Sequence, residues 1–305
     1  MQKNSSAHTA SHTLPLLPFI ALLIGGTAIG FAGIFMRLSD VNPIASAFWR
    51  MILAAPFLWL WAIRTPSPAQ GPSRTSFTPV LAWSGMYFAG DMGLWHEALH
   101  YTSVAKATLL SNLAPVFIAL FMWKVYKVRF ARSFLIGLGV ALLGAAMLVL
   151  GKDNHALPMP HHAMGDILGL LSALFYAGYQ LSVKEARHYY TTPRLMAWST
   201  TITALILLPF ALLSSGAFFP SQLSGWLPLL SLALIAQIGG QTVIAYASAH
   251  LPAALSSVGL LIQPLTAAIA AWVLFHESIS PLQMAGGALL LGGIYLSRQA
   301  PLASK

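Results

Sequence analysis

Cysteine is missing from all 305 residues, and Asp, Glu, Lys and Arg together supply only 8% of the chain. Without thiols there is no disulfide framework, no thiol nucleophile and no zinc–thiolate site. A soluble domain carries about 25% charged residues, so the shortage excludes an ordinary water-soluble enzyme, a disordered tail and a fibrous protein. Acidic residues are scarcest: seven Asp and Glu stand against sixteen Lys and Arg, a net charge of +9. No Walker loop marks ATP drive. No paired carboxylates or nucleophile–base constellation appears, so no catalytic residue and no cofactor is expected. His155, His161 and His162 share one loop without a carboxylate at ligand spacing. They read as solvated loop residues, and no metal site is expected.

What remains is apolar: 57% of the residues, with a mean hydropathy of +0.72. A membrane helix needs about 20 mostly apolar residues to cross roughly 30 Å of hydrocarbon. Segments of that kind recur ten times, near Leu14–Met36, Ile44–Ile63, Pro79–Leu99, Val104–Trp123, Phe134–Leu150, Asp166–Val183, Leu195–Ser214, Trp226–Ala247, Ala254–Phe275 and Leu282–Ser297. The first run is too long for a signal-peptide core and lacks a clear small-residue cleavage site, so it reads as a retained span. The expectation is an all-α integral membrane protein with ten transmembrane helices.

Charge sets its orientation. Cytoplasmic loops collect Lys and Arg. With the N-terminus inside, the inner side holds Lys3, Arg64, Arg74, Lys124, Lys127, Arg129, Arg132, Lys184, Arg187, Arg194, Arg298 and Lys305. The outer half keeps Arg37, Arg50, Lys106 and Lys152, four of the sixteen. The basic excess is therefore a topology signal; a nucleic-acid partner is not expected, and both termini are placed in the cytoplasm of a cell (inner or plasma) membrane protein.

The chain also repeats itself. At an offset of 149, the segment from Ala98 overlays the one from Ala247 without a gap. Pro115 meets Pro264, Trp123 meets Trp272, Gly137 meets Gly286 and Gly144 meets Gly293. With one residue of adjustment, Arg37 meets Arg187 and Pro43 meets Pro193. Five spans per half turn the second copy upside down, the inverted repeat of secondary transporters, with a substrate site near the midplane between halves. The expected organisation is a cytoplasmic tail (1–13), a first repeat (14–151), an external linker (152–163), a second repeat (164–298) and a cytoplasmic tail (299–305).

These residues carry a family resemblance. The run Ala98-Leu-His-Tyr-Thr-Ser-Val-Ala-Lys-Ala-Thr-Leu-Leu-Ser-Asn-Leu-Ala-Pro115 resembles the EamA repeat of the drug/metabolite transporter superfamily. So does Pro252-Ala-Ala-Leu-Ser-Ser-Val-Gly-Leu-Leu-Ile-Gln-Pro264, followed by His276-Glu277 and Gly286-Gly287. Pro43-Ile-Ala-Ser-Ala-Phe-Trp-Arg50 resembles the family's opening of the second span. The resemblance covers about residues 15 to 298. It implies two inverted five-helix halves and transport of small metabolites, often export and frequently proton-coupled. One departure stands out: the family often closes its fourth and ninth spans with Glu, and Glu277 fills only the second slot. The first half reads Lys127-Val128-Arg129.

Charge inside a span is costly and marks a candidate functional group. Asp91 lies roughly 10 Å from the outer end of the third span and Arg50 roughly 9 Å from that of the second. Their matched depths predict an ion pair, either a lock between two helices or a protonation or substrate-amine site. Trp95 shares a helix face with Asp91 and is either a partner for a cationic or aromatic solute or an interfacial anchor. His96 and Glu97 are secondary candidates for a proton relay. Asn112, Gln180, Gln237, Gln241 and Gln263 are mid-span amides, suited to interhelical hydrogen bonds or to a polar pathway. Pro56 and Pro209 also fall within spans, and the equivalent Pro115 and Pro264 are hinge candidates, with a static kink as the alternative. Gly25, Gly26, Gly30 and Gly33 give the first span a small-residue face. Gly137, Gly139 and Gly144, with Gly286, Gly287, Gly292 and Gly293, do so for the fifth and tenth, which are the candidate surface for a homodimer contact.

The combined expectation is a secondary-active transporter of small organic metabolites or drugs, exporting by alternating access, with the bilayer, a small solute and protons as partners. The alternative is an integral-membrane enzyme on lipid-linked substrates. Such an enzyme should cluster its acidic, basic and histidine residues at one interface, whereas here single polar groups are scattered at mid-depth.

Overall fold

Apolar runs without water must satisfy their own backbone, and helices do so within one segment. The computed structural model describes residues 15–66, 71, 73–98, 101–102, 104–151 and 162–299, excepting the side chains of 104–106 and 162. Among the described residues there is no strand. The tail 1–13, Lys3, Lys152, His155, His161 and Lys305 lie outside this set, as do the side chains of Lys106 and His162.

In chain order the helices are α1 (Leu16–Gly30), α2 (Ala32–Leu38), α3 (Pro43–Arg64), α4 (Pro79–Ala98), α5 (Val104–Ser111), α6 (Ala114–Lys124) and α7 (Arg132–Leu150). There follow α8 (His162–Ala186), α9 (Thr192–Leu213), α10 (Trp226–Ser231), a π-helical stretch (Leu232–Gln241), α11 (Thr242–His250), α12 (Ala253–Gly259), α13 (Ile262–Phe275) and α14 (Pro281–Gln299). Eight continuous stretches are long and apolar enough to cross a membrane: Leu16–Leu38, Pro43–Arg64, Ala107–Lys124, Arg132–Leu150, Ala163–Ala186, Thr192–Leu213, Leu223–His250 and Ala253–Phe275. This is a multi-pass membrane protein. The remaining two segments anticipated as spans are the helices α4 and α14, of 20 and 19 residues.

Local chemistry sets the breaks. The Asn42 side chain accepts the Ala45 N–H at 2.7 Å and Pro43 occupies the first turn, a strong start for α3. Pro115 sits in the first turn of α6, just after the interruption at Asn112-Leu113. Pro264 sits in the first turn of α13, just after the interruption at Leu260-Leu261. Both prolines lack the N–H that a continuous helix would need, so the breaks coincide with the repeat-equivalent prolines.

The repeat is visible in the backbone as well. Lys127 and His276, 149 apart, are the two described non-glycine residues with positive φ, both at 55°. The next residues repeat one hydrogen bond: Val128 N–H donates to Met122 O at 3.2 Å, and Glu277 N–H to Ala271 O at 3.4 Å.

Packing follows the same register. Along α7 and α14, Gly137 faces Gly293 while Gly144 faces Gly286, so these helices run antiparallel with their backbones touching. Adding 149 to 137 and 144 gives 286 and 293, so each contact is the other with its partners exchanged. Gly90 against Phe175 and Gly240 against Gly25 exchange likewise under a shift of 150. The expected small-residue faces are thus largely spent within the chain. Gly33, Gly139 and Gly292 are corrections: a side chain there would meet nothing within 4 Å, so they pack against no helix and serve no close approach.

Elsewhere α4 lies along α8, α3 along α9, and α1 along the π stretch and α11. One buried apolar cluster joins α3, α4, α8, α9 and the π stretch; another joins α1, α6, α7, α8 and α11 to α14. Loops clasp α9 at both ends. At one, Asn42 N–H donates to Ala217 O at 2.7 Å, Trp49 Nε1–H to Phe218 O at 2.8 Å, and Ser221 N–H to Asp40 Oδ2 at 2.8 Å. The Ser221 hydroxyl and N–H hold the Asp40 carboxyl below its ordinary range. At the other end, Arg74 N–H donates to Tyr189 O at 3.0 Å and Tyr190 OH to Ser76 O at 2.6 Å.

Candidate functional site

The deep polar residues converge where α3, α4, α8, α9 and the π stretch meet. Arg50 is 4% exposed. Its Nε–H donates to Gln237 Oε1 at 3.1 Å, and Gln237 Nε2 in turn donates to Thr200 Oγ1 at 2.9 Å. The guanidinium carbon lies 5.8 Å from the centre of the Phe88 ring. Phe88 stacks on Tyr179 at 4.3 Å, and Tyr179 neighbours Tyr176 at 6.1 Å. Trp49, beside Arg50 in sequence, gathers Phe218, Phe219 and Trp226 into an aromatic plug toward the 217–226 end.

Asp91 occupies the other side. Ser172 Oγ donates to its Oδ1 at 2.7 Å, and Ser111 Oγ lies 3.1 Å from Ser172 Oγ, linking α4, α8 and α5 through hydroxyls. Asp91, Ser111, Asn112, Tyr176 and Gln263 are all only partly buried although they come from deep in their helices. Tyr176 lies beside the Gln263 side chain.

The expected Arg50–Asp91 ion pair is absent. Among the described residues the salt bridge is Arg37–Glu277 at 2.6 Å. The reason is adjacency: α4 packs chiefly along α8 and α3 along α9, so matched depth on consecutive helices does not bring side chains together. Each charge is taken up by a neutral partner, Gln237 for Arg50 and Ser172 for Asp91. The charges remain near enough to act on each other electrostatically.

The other candidates separate. Gln237 and Gln241 share the π stretch, both buried; Gln241 Oε1 has no hydrogen-bond partner. Asn112, at the α5–α6 break, leaves Nδ2 buried without one. Gln180 is buried one turn beyond Tyr176. Trp95 packs edge-on against His96 at 5.0 Å, and His96 Nδ1–H donates to Met92 O at 2.5 Å. Glu97 lines a cleft of about 420 Å³ with Ile44, Tyr101, Phe210, Leu213, Ser214 and Ser215. Among the described residues, no hydrogen bond links His96 or Glu97 directly to Asp91, Ser172 or Ser111.

Ser111, Ser172, Thr200, Tyr176, Tyr179 and Phe88 belong to this centre and are not singled out by the sequence reading. Hydroxyls are common in membrane helices, so a lone Ser carries little signal. The one usable clue is depth: Ser172 and Tyr176 share a face of the sixth apolar run.

Comparison with known proteins agrees with this architecture. The model of the EamA-like transporter family matches residues 16–150 and again 163–299. An uncharacterized transporter of Archaeoglobus fulgidus is 27% identical over 286 residues, covering 90% of this chain and 96% of its own. The pseudopaline exporter CntI of Pseudomonas aeruginosa is 26% identical over 215 residues, covering 70% and 72%. A crystal structure at 18% identity superposes with a TM-score of 0.76 over 92% of this chain and 94% of its own, which establishes a shared fold. A membrane protein built of two such copies around a polar centre is of the small-molecule transporter class. The chain belongs to the EamA-like transporter family.

Proposed function

We propose that the protein is a secondary-active exporter of small organic metabolites, working by alternating access between two inverted five-helix halves. The observation that carries this reading is the exchange of contacts along α7 and α14. Paired contacts that swap partners are the signature of a two-fold axis. For antiparallel helices standing along the membrane normal that axis lies in the membrane plane, which is inversion. The reading counts α4 and α14 among ten spans, and the clasps at opposite ends of α9 as gates on opposite faces. The breaks before Pro115 and Pro264 serve as hinges. Both termini lie in the cytoplasm of a cell membrane, in keeping with twelve of sixteen basic residues assigned to that side.

Asp91 is the proton-exchange group in this scheme, because a carboxylate held only by a hydroxyl loses little when protonated. The transporter-named relatives favour this reading over the lipid-enzyme alternative. Purified protein in sealed vesicles should catalyse saturable counterflow of labelled metabolites, accelerated by an imposed pH gradient. Asp91→Asn should remove the gradient's effect. Lipid turnover without solute flux would instead establish the enzyme.

A further inference from the structure

The cleft beside Glu97 stands apart from the central polar residues. Its volume of about 420 Å³ falls within the roughly 300–1,000 Å³ usual for small-ligand sites. Three helix ends form it: Ile44 from the start of α3, Glu97 from the end of α4, and Phe210 and Leu213 from the end of α9. The ends of membrane helices lie at headgroup depth, and the Trp49–Trp226 pair near the start of α3 is of the kind that collects there.

One side of the cleft is apolar and the other polar. Phe210 is 58% and Leu213 85% exposed, so this side faces acyl chains and not protein. Past Leu213 the chain runs through Ser214 and Ser215 to Gly216, whose φ of 101° suits glycine. The turn brings Ala217 O to the Asn42 N–H at 2.7 Å and so holds the two serines in the cleft wall. Glu97 is half-buried there, and among the described residues no Lys, Arg or His lies within ion-pair distance of it. A partly desolvated carboxylate only accepts hydrogen bonds, so the partner it lacks is a cation that donates them.

We propose that this cleft binds a phospholipid with a primary-ammonium headgroup, of the phosphatidylethanolamine type. The ammonium donates to the Glu97 carboxylate, the phosphodiester accepts from the Ser214 and Ser215 hydroxyls, and an acyl chain lies along Phe210 and Leu213. A water-soluble amine would satisfy Glu97 but leave that apolar side uncovered. A choline headgroup brings the charge without an N–H donor, and a glycerol headgroup leaves the lipid with a net negative charge that Glu97 repels. The site involves neither Arg50 nor Asp91 and does not depend on the transport reading.

The test mixes the purified full chain in detergent with equal amounts of phosphatidylethanolamine, phosphatidylcholine and phosphatidylglycerol of matched acyl chains. Native mass spectrometry then counts the lipids that stay bound. Phosphatidylethanolamine should be retained about threefold over phosphatidylcholine, the scale of a partly exposed ion pair, and by more over phosphatidylglycerol. Glu97→Gln should bring phosphatidylethanolamine and phosphatidylcholine to parity, while Glu97→Asp, which keeps the charge, should retain the preference; each variant is checked for monodispersity. If Glu97→Gln fails to fold, stepwise N-methylation of the headgroup makes the same distinction on the unmutated chain, with retention falling as N–H donors are lost. Equal retention of the three lipids, a preference undiminished in Glu97→Gln, or retention unchanged by methylation would overturn the site. Displacement of the lipid by an equal concentration of soluble phosphoethanolamine would overturn it too, in favour of a water-borne ligand.

Discussion

The two halves share a backbone plan but not a chemistry. Along the seam the plan is the same on both sides: Gly137 with Gly293 repeats as Gly144 with Gly286, and Lys127 turns the chain as His276 does. At the centre the halves part. One residue past Gly90 stands Asp91, facing Ser172; one past the corresponding Gly240 stands Gln241, and the position matching Ser172 under the same shift of 150 is Leu22, fully buried. Ser111 likewise corresponds to the buried Leu260 at the offset of 149. The hydroxyls that support the Asp91 carboxylate are thus matched by leucines at the equivalent positions around Gln241, an uncharged amide. Symmetry is kept where backbones must touch and abandoned at the polar centre proposed to handle the solute.

The largest effect should come from the shared part. A Cβ at Gly144 would press on the backbone of Leu290 and Gly286, and one at Gly286 on the backbone of Gly144 and Leu148. Backbone cannot turn aside as a flexible side chain can, so overpacking here costs about 1–3 kcal/mol or more. Gly144→Val and Gly286→Val should each lower the thermal midpoint in detergent by several degrees and cut the monodisperse yield severalfold, to matching extents. Gly139→Val and Gly292→Val, facing nothing within 4 Å, should leave both unchanged. Unequal losses for the two seam positions would break the equivalence of the halves.

Next is the central asymmetry. Asp91→Gln should reduce solute exchange tenfold or more, while Gln241→Glu should change it by less than threefold. The double variant should be as poor as Asp91→Gln, because the position equivalent to Ser172 is Leu22, which has no hydroxyl to offer a carboxylate at 241; an unsupported buried carboxyl stays neutral. Recovery of exchange in the double variant would mean that the halves are interchangeable after all.

How much of this could be read from sequence varies with the kind of information involved. The repeat was legible because Pro, Trp and Gly are rare enough to align, and the matched prolines and glycines prove to sit at helix breaks and backbone contacts. Arg50 and Asp91 were legible as isolated charges in apolar runs. Their separation was not, since it depends on which helices are neighbours, and hydropathy reports depth without azimuth. The π stretch was equally hidden, because nothing in Leu232–Gln241 differs in composition from an α-helical span. Tyr176 and Ser172 are ordinary residues made important by what α4 brings against them.

The smallest expected effect lies at the helix ends. Arg37 pairs with Glu277 at 2.6 Å and lies over Phe275 at 4.6 Å, tying α2 to the end of α13. The repeat-equivalent cation is Arg187, and the slot matching Glu277 holds Val128. Arg187 turns instead to the Tyr190 carbonyl and leaves its Nε buried without a partner; burial lowers its pKa from the ordinary value. The clasp therefore exists on one side of the repeat and lacks its acid on the other. Arg37 is 55% exposed, so the existing pair is worth only about 0.2–1 kcal/mol, less than about fivefold in an opening equilibrium. The cysteine-free sequence allows single reporter thiols near Ser221 and near Ser76 without background labelling. Glu277→Gln should raise labelling near Ser221 by about twofold, since the clasp ties the ends on the Asp40 side of the chain. Val128→Glu should supply the missing acid to Arg187 and lower labelling near Ser76 by a similar factor. If Val128→Glu moved the Ser221 reporter instead, residues 128 and 277 would not be counterparts in function, and the shared backbone turn at Lys127 and His276 would be structural alone.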